Sequence, residues 1–488
     1  MRILQSHDRE GVYVLIAATL LFPIFALAQA PPPDTAPGAK AAPMSKIDRK
    51  RKAPVSNDVL RVHLPKAKEM TLDDGLKILL IEDHRMPTVT VSLVIPGAGG
   101  IYDPPDMPGL ASFTATMLKE GTTTRNSKQI AEQLDRLGAS LFTSAGFNSR
   151  SASINISGLS DNMPEWMALA ADIILNPTFP ADELAKLKQR QKAQLQQQRS
   201  SPSFLVNERF SKAVFGDHPA ARTAPTLASI EATTPEMLQK WHKERYVPQN
   251  AILGVAGDIT ADALMKQLAN LKSWERTDFK VAPIAATKPV AAKKIYIVDR
   301  PGSVQTEVYL GNIAVSRTDP DYIPMTVMNR IIGGGPAARF FINLREEKGY
   351  TYGAYSRLDA GQWAGPWIAF ASMRTDATEG AMTEFLKEIR RIREEPVPES
   401  ELEEDKRSVV ASFALSLESP AELLSYAMTQ KLYGLPADYW DTYPSKLTQV
   451  TAEQVQTEAR KYLDPDQCRS WRSAMRARSS RSWRSLDQ

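Results

Sequence analysis

The 488-residue chain contains a single cysteine, Cys468, and five histidines, at positions 7, 63, 84, 218 and 242. One thiol excludes an internal disulfide, so the fold must be stabilised by burying apolar side chains, which make up 43% of the sequence. The histidines stand singly, none at metal-ligand spacing from another, which excludes a zinc site built on a His-His or Cys-His framework. Net charge is also small. The formal balance is +4, but residues 468–488 carry six arginines against one aspartate, and the remainder stands at −1. Neither nucleic-acid nor membrane-surface binding follows from such a body.

Only one long apolar run occurs, Val12 to Leu27, broken by Pro23 and shorter than the roughly 20 residues that span a bilayer. It ends in Ala26-Leu27-Ala28, a small-x-small cleavage pattern, and predicts a secretory signal peptide over residues 1–28. An uncleaved anchor is the competing reading. Cleavage implies export, to the periplasm in a bacterium, with no stable membrane insertion afterwards. Residues 29–62, rich in Pro, Ala and Lys, have neither helical nor strand periodicity and predict a disordered linker. A similar stretch at 277–293 predicts a linker between two domains, 63–276 and 294–467.

Those two segments resemble each other. Pro180-Ala-Asp-Glu-Leu184 returns as Pro398-Glu-Ser-Glu-Leu402, Ser201-Pro202 as Ser419-Pro420, and Phe215-Gly216 as Tyr433-Gly434, each displaced by 218 residues. Thr234-Pro-Glu236 returns as Thr451-Ala-Glu453, displaced by 217. Landmarks in one order at near-constant displacement indicate an internal duplication. Each copy begins with strand-like runs (Leu76 to Ile81 and Thr88 to Ile95; Lys294 to Val298 and Thr306 to Ile313) and continues into long helical patterns, which predicts α+β architecture. Ser151 to Leu159 alternates as a half-exposed strand and is expected at a sheet edge.

The segment Gly109-Leu-Ala-Ser-Phe-Thr-Ala-Thr-Met-Leu-Lys-Glu-Gly-Thr122 resembles the active-site helix of the insulinase/pitrilysin family of inverzincin peptidases, Gly-Leu-Ala-His-Phe-x-Glu-His-Met-Leu-x-x-Gly-Thr. Two histidines one turn apart can grip one zinc ion while the intervening Glu activates water. Here those positions hold Ser112, Ala115 and Thr116. The third family ligand, a downstream Glu, aligns near Gln194, and no Asp or Glu occurs between Leu184 and Asn207. This chain is therefore expected to bind no metal.

A second match lies at Gly333-Gly-Gly-Pro-Ala-Ala-Arg-Phe-Phe-Ile-Asn-Leu-Arg-Glu-Glu-Lys-Gly-Tyr-Thr-Tyr352. It is similar to the family's C-terminal Gly-Gly-x-x-x-Arg-Leu-Phe-x-x-Leu-Arg-Glu-x-x-Gly-x-x-Tyr, whose last Arg and Tyr reach a zinc-bound substrate from another domain. The matching residues are Arg345 and Tyr352. The alternative is structural: Arg345 pairs with Glu346 or Glu347, and Tyr352 fills a strand core. The triple Gly333, Gly334 and Gly335 has no Gly-Lys-Ser/Thr after it and reads as a turn near substrate rather than a phosphate loop. Ser160-Asp-Asn162 lacks the companion motifs of a β-lactamase.

The resemblance implies two duplicated domains of the mitochondrial processing peptidase type facing each other around a chamber. It further implies a zinc-free subunit working with a zinc-bearing partner on peptides, Arg345 and Tyr352 acting in trans; a non-catalytic scaffold or peptide-binding protein is the alternative. The C-terminus departs from the repeat. Tyr246-Val-Pro-Gln-Asn250 leads into the strand-like Ala251 to Asp258, whereas Tyr462-Leu-Asp-Pro-Asp-Gln467 leads into Arg-, Ser- and Trp-rich sequence from Cys468 with no strand pattern. Out-of-frame translation would give that composition, and a basic tail is the other reading. Resequencing the 3′ end of the gene tests this: a shifted frame is expected to restore an apolar strand after residue 467, and an intact frame removes the hypothesis.

Overall fold

Segments alternating β-branched and small polar residues form two sheets in the computed structural model, which describes residues 62, 64–288, 295–300, 302–464 and 469–474. The first sheet comprises β1 (Lys68–Thr71), β2 (Lys77–Glu82), β3 (Thr88–Pro96), β4 (Ser140–Ser144), β5 (Ser151–Leu159) and β6 (Ile252–Gly257), in the order β1-β2-β6-β3-β5-β4. The second comprises β7 (Ile295–Asp299), β8 (Gln305–Ile313), β9 (Thr351–Leu358), β10 (Pro366–Arg374) and β11 (Arg469–Ala474), in the order β7-β11-β8-β10-β9. Apart from β1 the two orders correspond. Each has a single parallel pair, β2 with β6 and β7 with β11, and is otherwise antiparallel.

The helices of the first half are α1 (Leu110–Met117), α2 (Ser127–Leu137), α3 (Met163–Leu175), α4 (Ala181–Arg199), α5 (Pro202–Phe215), α6 (Leu227–Ala232), α7 (Pro235–Arg245) and α8 (Ala261–Gln267). Those of the second are α9 (Tyr322–Gly333), the single turn α10 (Arg339–Phe341), α11 (Thr378–Glu394), α12 (Glu399–Ser416), α13 (Pro420–Tyr433), α14 (Tyr439–Thr448) and α15 (Ala452–Tyr462). Helices clustered beside largely antiparallel sheets make an α+β fold, as expected. Each half has its own core. Leu76, Ile78, Val91, Ile154 and Trp166 lie in the first, and Val308, Trp367, Phe340 and Phe385 in the second.

The other faces of the sheets are covered by exchange. Helix α5 leaves the first half and packs on β8 and β11, with Phe210 and Val214 against Ile313 and Ile368. Helix α13 reciprocates on β2 and β6, where Leu423, Leu424 and Met428 meet Leu79, Ile81, Ile252 and Ala256. The approach is close enough that a Cβ on Gly254 would stand 2.5 Å from Met428 Sδ. Chain 277–288, between the halves, is pinned as it crosses: Gln249 Nε2 donates to Thr277 O at 2.8 Å, Tyr102 Oη to Ala282 O at 3.0 Å and Thr287 Oγ1 to Ala364 O at 2.8 Å.

Two expectations are corrected. Ser151–Leu159 is not an edge strand, because β5 lies between β3 and β4, and β4 is the edge. Its alternation has another cause: Ala152, Ile154 and Ile156 face the core while Ser153 and Asn155 face the opposite side of the sheet. Residues 469–474 do form a strand, inserted between β7 and β8 and lying 217 residues after β6, the displacement of the duplication. The backbone hydrogen-bonding slot is what this strand fills, and main-chain groups pair whatever side chains they carry. The segment 1–28 expected to be a signal peptide, residues 29–61 and the tail after 474 lie outside the described residues.

Truncating Leu424, 2% exposed beneath the first sheet, tests the exchange. Leu424→Ala is expected to lower unfolding free energy by about 2–5 kcal/mol, measured by urea denaturation. A loss below about 1 kcal/mol would show that α13 contributes little to holding the halves together.

Candidate functional site

Helix α1 starts at a position only glycine occupies comfortably, Gly109 with φ +102°. A buried carboxylate caps it from outside the helix: Asp103 accepts from Gly109 N at 2.6 Å and Ala111 N at 2.9 Å. The chain after Asp103, Pro104-Pro-Asp-Met-Pro108, is the only sequence signal for this cap. Sequence reasoning missed it because Asp103 stands six residues before Gly109, too far for an ordinary N-cap. Burial raises the Asp103 pKa to about 6 against the two backbone donors and Arg222.

The three vacated motif positions, two of ligands and that of the water-activating Glu at Ala115, are occupied by the helix's own packing. Thr116 Oγ1 donates back to Ser112 O at 2.8 Å, Ala115 is 1% exposed with its methyl in the first core, and Ser112 is half-buried. A hydroxyl already committed to a carbonyl, a methyl and a second neutral hydroxyl do not fit a zinc ion, which takes thiolate, imidazole or carboxylate donors. Gln194 is exposed on α4 and has no hydrogen bond among the described residues. Among those residues no group of three or more His, Cys, Asp or Glu side chains could hold a metal. His84 pairs with Asp258 at 2.7 Å, His218 bonds Ala285 O, and His242 bonds Ile174 O at 2.8 Å, its pKa lowered to about 4 by burial. His7 and His63 lie outside the described residues.

Arg345 and Tyr352 stand on either side of a tight reversal. After α10 the backbone continues as a π-helical turn, Ile342–Glu347, and Gly349 at φ +64° redirects it so that Tyr350 N donates to Leu344 O at 2.9 Å. Arg345 lies over the Phe341 ring at 4.9 Å and bonds Glu346. The structural pairing of the arginine is therefore present. The alternative for the tyrosine is not: Tyr352 is 86% exposed. The cause is a β-bulge, since Ala371 pairs with Ala354 and Met373 with Thr351, leaving Tyr352 and Gly353 opposite Ser372 alone. An extra residue in one strand re-aims its side chains. Thr351 Oγ1, buried at the base of the bulge, bonds the carbonyls of Gly353 and Ser372.

The glycine run lies where α9 meets β9. A Cβ on Gly333 would come 2.5 Å from Ser356 N, and one on Gly335 2.6 Å from the Arg330 guanidinium. These glycines let a helix end approach a strand backbone.

The cap on α1 gives a measurable pH dependence. An Asp103 pKa raised in the folded state means that the folded chain keeps a proton which the unfolded chain releases, so this group's contribution to stability falls as pH rises from about 4 to about 6. Relative to Asp103→Asn, the native chain is expected to lose roughly 2–3 kcal/mol of stability over that interval. Unfolding curves at several pH values check this, and a difference that stays flat would show an unperturbed carboxylate.

Comparison with known proteins agrees with this fold. Residues 77–225 match the insulinase (peptidase family M16) model and residues 232–409 the model of the peptidase M16 inactive domain, together about two thirds of the chain. An uncharacterized zinc protease of Bacillus subtilis, YmxG, is 24% identical over 405 residues, spanning 82% of this chain and 96% of its own. An uncharacterized zinc protease of Rickettsia bellii is 27% identical over 356 residues, 72% of this chain and 84% of its own. The crystal structure of a peptidase M16 inactive domain from Pseudomonas fluorescens superposes with a TM-score of 0.78 at 26% identity, covering 85% of this chain and 99% of that one. The periplasmic protease PqqL of Escherichia coli shares the fold at a TM-score of 0.71 and 15% identity, covering 87% of this chain and 48% of that one. With both halves matched in order and the duplicated sheets in place, the chain belongs to the insulinase family, M16.

Proposed function

We propose that this chain is the zinc-free subunit of an exported, heterodimeric peptidase of the insulinase family, and that it supplies Arg345 and Tyr352 to a substrate peptide held at a zinc-bearing partner. The observation that carries the reading is the contrast between the two motifs. Helix α1 has closed over its ligand positions, while Tyr352 is turned outward on a bulge at the start of the edge strand β9. An outward phenol has little folding role and is available to a second chain.

In that role the Arg345 guanidinium holds a substrate carbonyl or carboxylate. The Tyr352 hydroxyl donates to the oxyanion that develops on the scissile carbonyl as water adds. Glu346, now bonded to Arg345, exchanges for substrate. The peptide is held in extended form by strand addition, and β4, the edge of the first sheet with Phe142 63% exposed, is the strand suited to receive it. The apolar leader-like run and the periplasmic PqqL of like fold support export; among the described residues no helix is long and apolar enough to cross a membrane.

The rival reading, a non-catalytic scaffold or peptide-binding protein, is favoured by the Arg345–Glu346 pair alone. Turnover by the reconstituted pair separates the two. Tyr352→Phe is expected to lower kcat by about 10²- to 10³-fold with little change in KM, the usual cost of one oxyanion donor. Unchanged turnover removes the catalytic role and leaves the scaffold. Chelator-sensitive hydrolysis by this chain alone would overturn both.

A further inference from the structure

Where α5 and α13 cross to the opposite sheets they leave between them a crevice of about 600 Å³, within the range of small-molecule sites. Ser151 and Ser153 from the polar face of β5 line one wall, Arg357 of β9 and Trp363 of the β9–β10 turn another, and Phe215 and Tyr433 at the ends of α5 and α13 close it with rings. Neither Arg345 nor Tyr352 lines it.

Hydrogen-bond donors in the crevice outnumber their partners. Arg357 gives only its Nε to Asp359, at 3.0 and 3.1 Å to the two carboxylate oxygens; among the described residues its Nη1 and Nη2 meet no acceptor. The Thr223 hydroxyl, from a residue that also lines the crevice, is buried and has no partner among the described residues. Arg150 gives Nε to Tyr102 Oη at 3.2 Å and Nη1 to Gln362 Oε1, and the Gln362 amide in turn donates to Leu432 O. That chain of bonds ties the β4–β5 turn, the β9–β10 turn and the end of α13 together at the crevice. Two guanidiniums against the single carboxylate of Asp359 leave one net positive charge among the lining residues.

We propose that this crevice binds the C-terminal carboxylate of a short peptide. The planar guanidinium of Arg357, set over the rings of Tyr309 and Phe370 with its Nη1 and Nη2 lacking acceptors among the described residues, matches a carboxylate in bidentate geometry, and the single excess positive charge matches a monoanion. The hydroxyls of Ser151, Ser153 and Thr223 suit the amide groups of the last residues, and the rings of Phe215, Trp363 and Tyr433 suit an apolar terminal side chain. The proposal rests on the peptide reading above only for the identity of the ligand. It places recognition of a chain end within this subunit, apart from the trans-acting pair.

The test uses the full chain alone, titrated by calorimetry with the tripeptide Ala-Ala-Phe as free acid and as C-terminal amide. The free acid is expected to bind saturably and the amide at least tenfold more weakly. Arg357→Gln is expected to bring the acid down to the level of the amide, and Arg357→Lys to retain part of the difference. Equal affinity for acid and amide, no heat from either up to about 5 mM, or an Arg357→Gln chain with native circular dichroism and unchanged binding overturns the proposal. If Arg357→Gln does not fold, Ser153→Leu, which fills the crevice, is expected to abolish binding, and retained binding overturns it. No partner or turnover enters this measurement, so it fails or succeeds independently of the Tyr352→Phe test.

Discussion

Each sheet of this molecule has one apolar face covered by its own half and an apolar patch on the other face that its own half leaves uncovered. That patch is covered by a helix from the other copy, α5 on the second sheet and α13 on the first. Duplication creates the problem and solves it, since a unit that presents an uncovered sheet face and an apolar helix is complementary to a copy of itself related by a two-fold rotation. The placement of the other features follows from this exchange. Helix α5 lies on β8 and β11 and α13 on β2 and β6, and the serine-bearing part of β5 is left to line a crevice between them.

Loss of the metal ligands did not loosen α1. Its start is held by Asp103 from outside, the residue before it is a glycine in a left-handed conformation, and its vacated positions satisfy themselves: Thr116 bonds its own helix and Ala115 adds to the core. The helix therefore owes its place to a buried carboxylate and to packing, neither of which needs a cation. In the second half the selective feature is reversed. The bulge at Tyr352 and Gly353 interrupts the β9–β10 ladder and exposes a large ring, an arrangement that costs pairing and gains nothing for the core.

Much of this was legible in the amino-acid order. The four repeated landmarks at displacements of 217 and 218 residues correspond to α4 and α12, α5 and α13, and α7 and α15, and the family motifs fall on α1 and on the turn before β9. What was not legible is instructive. The alternation of Ser151 to Leu159 says that one face is buried and the other is not, but a strand facing a crevice and a strand at an edge have the same period. Residues 469–474 carry no strand pattern at all, yet the gap between β7 and β8 and the repeat register place a strand there.

By itself the sequence determined the duplicated α+β fold, the family, and the absence of zinc ligands at Ser112 and Thr116 and of the water-activating Glu at Ala115, because each is written in residue types and local spacing. Tertiary structure alone decided that α5 and α13 trade sheets, that Asp103 reaches α1, that Tyr352 faces outward and that Arg150 and Arg357 open on one crevice. Those outcomes depend on which backbones pair and which surfaces meet, and such contacts, whether six residues apart as for Asp103 and Gly109 or between the two halves, leave no periodic trace in the chain.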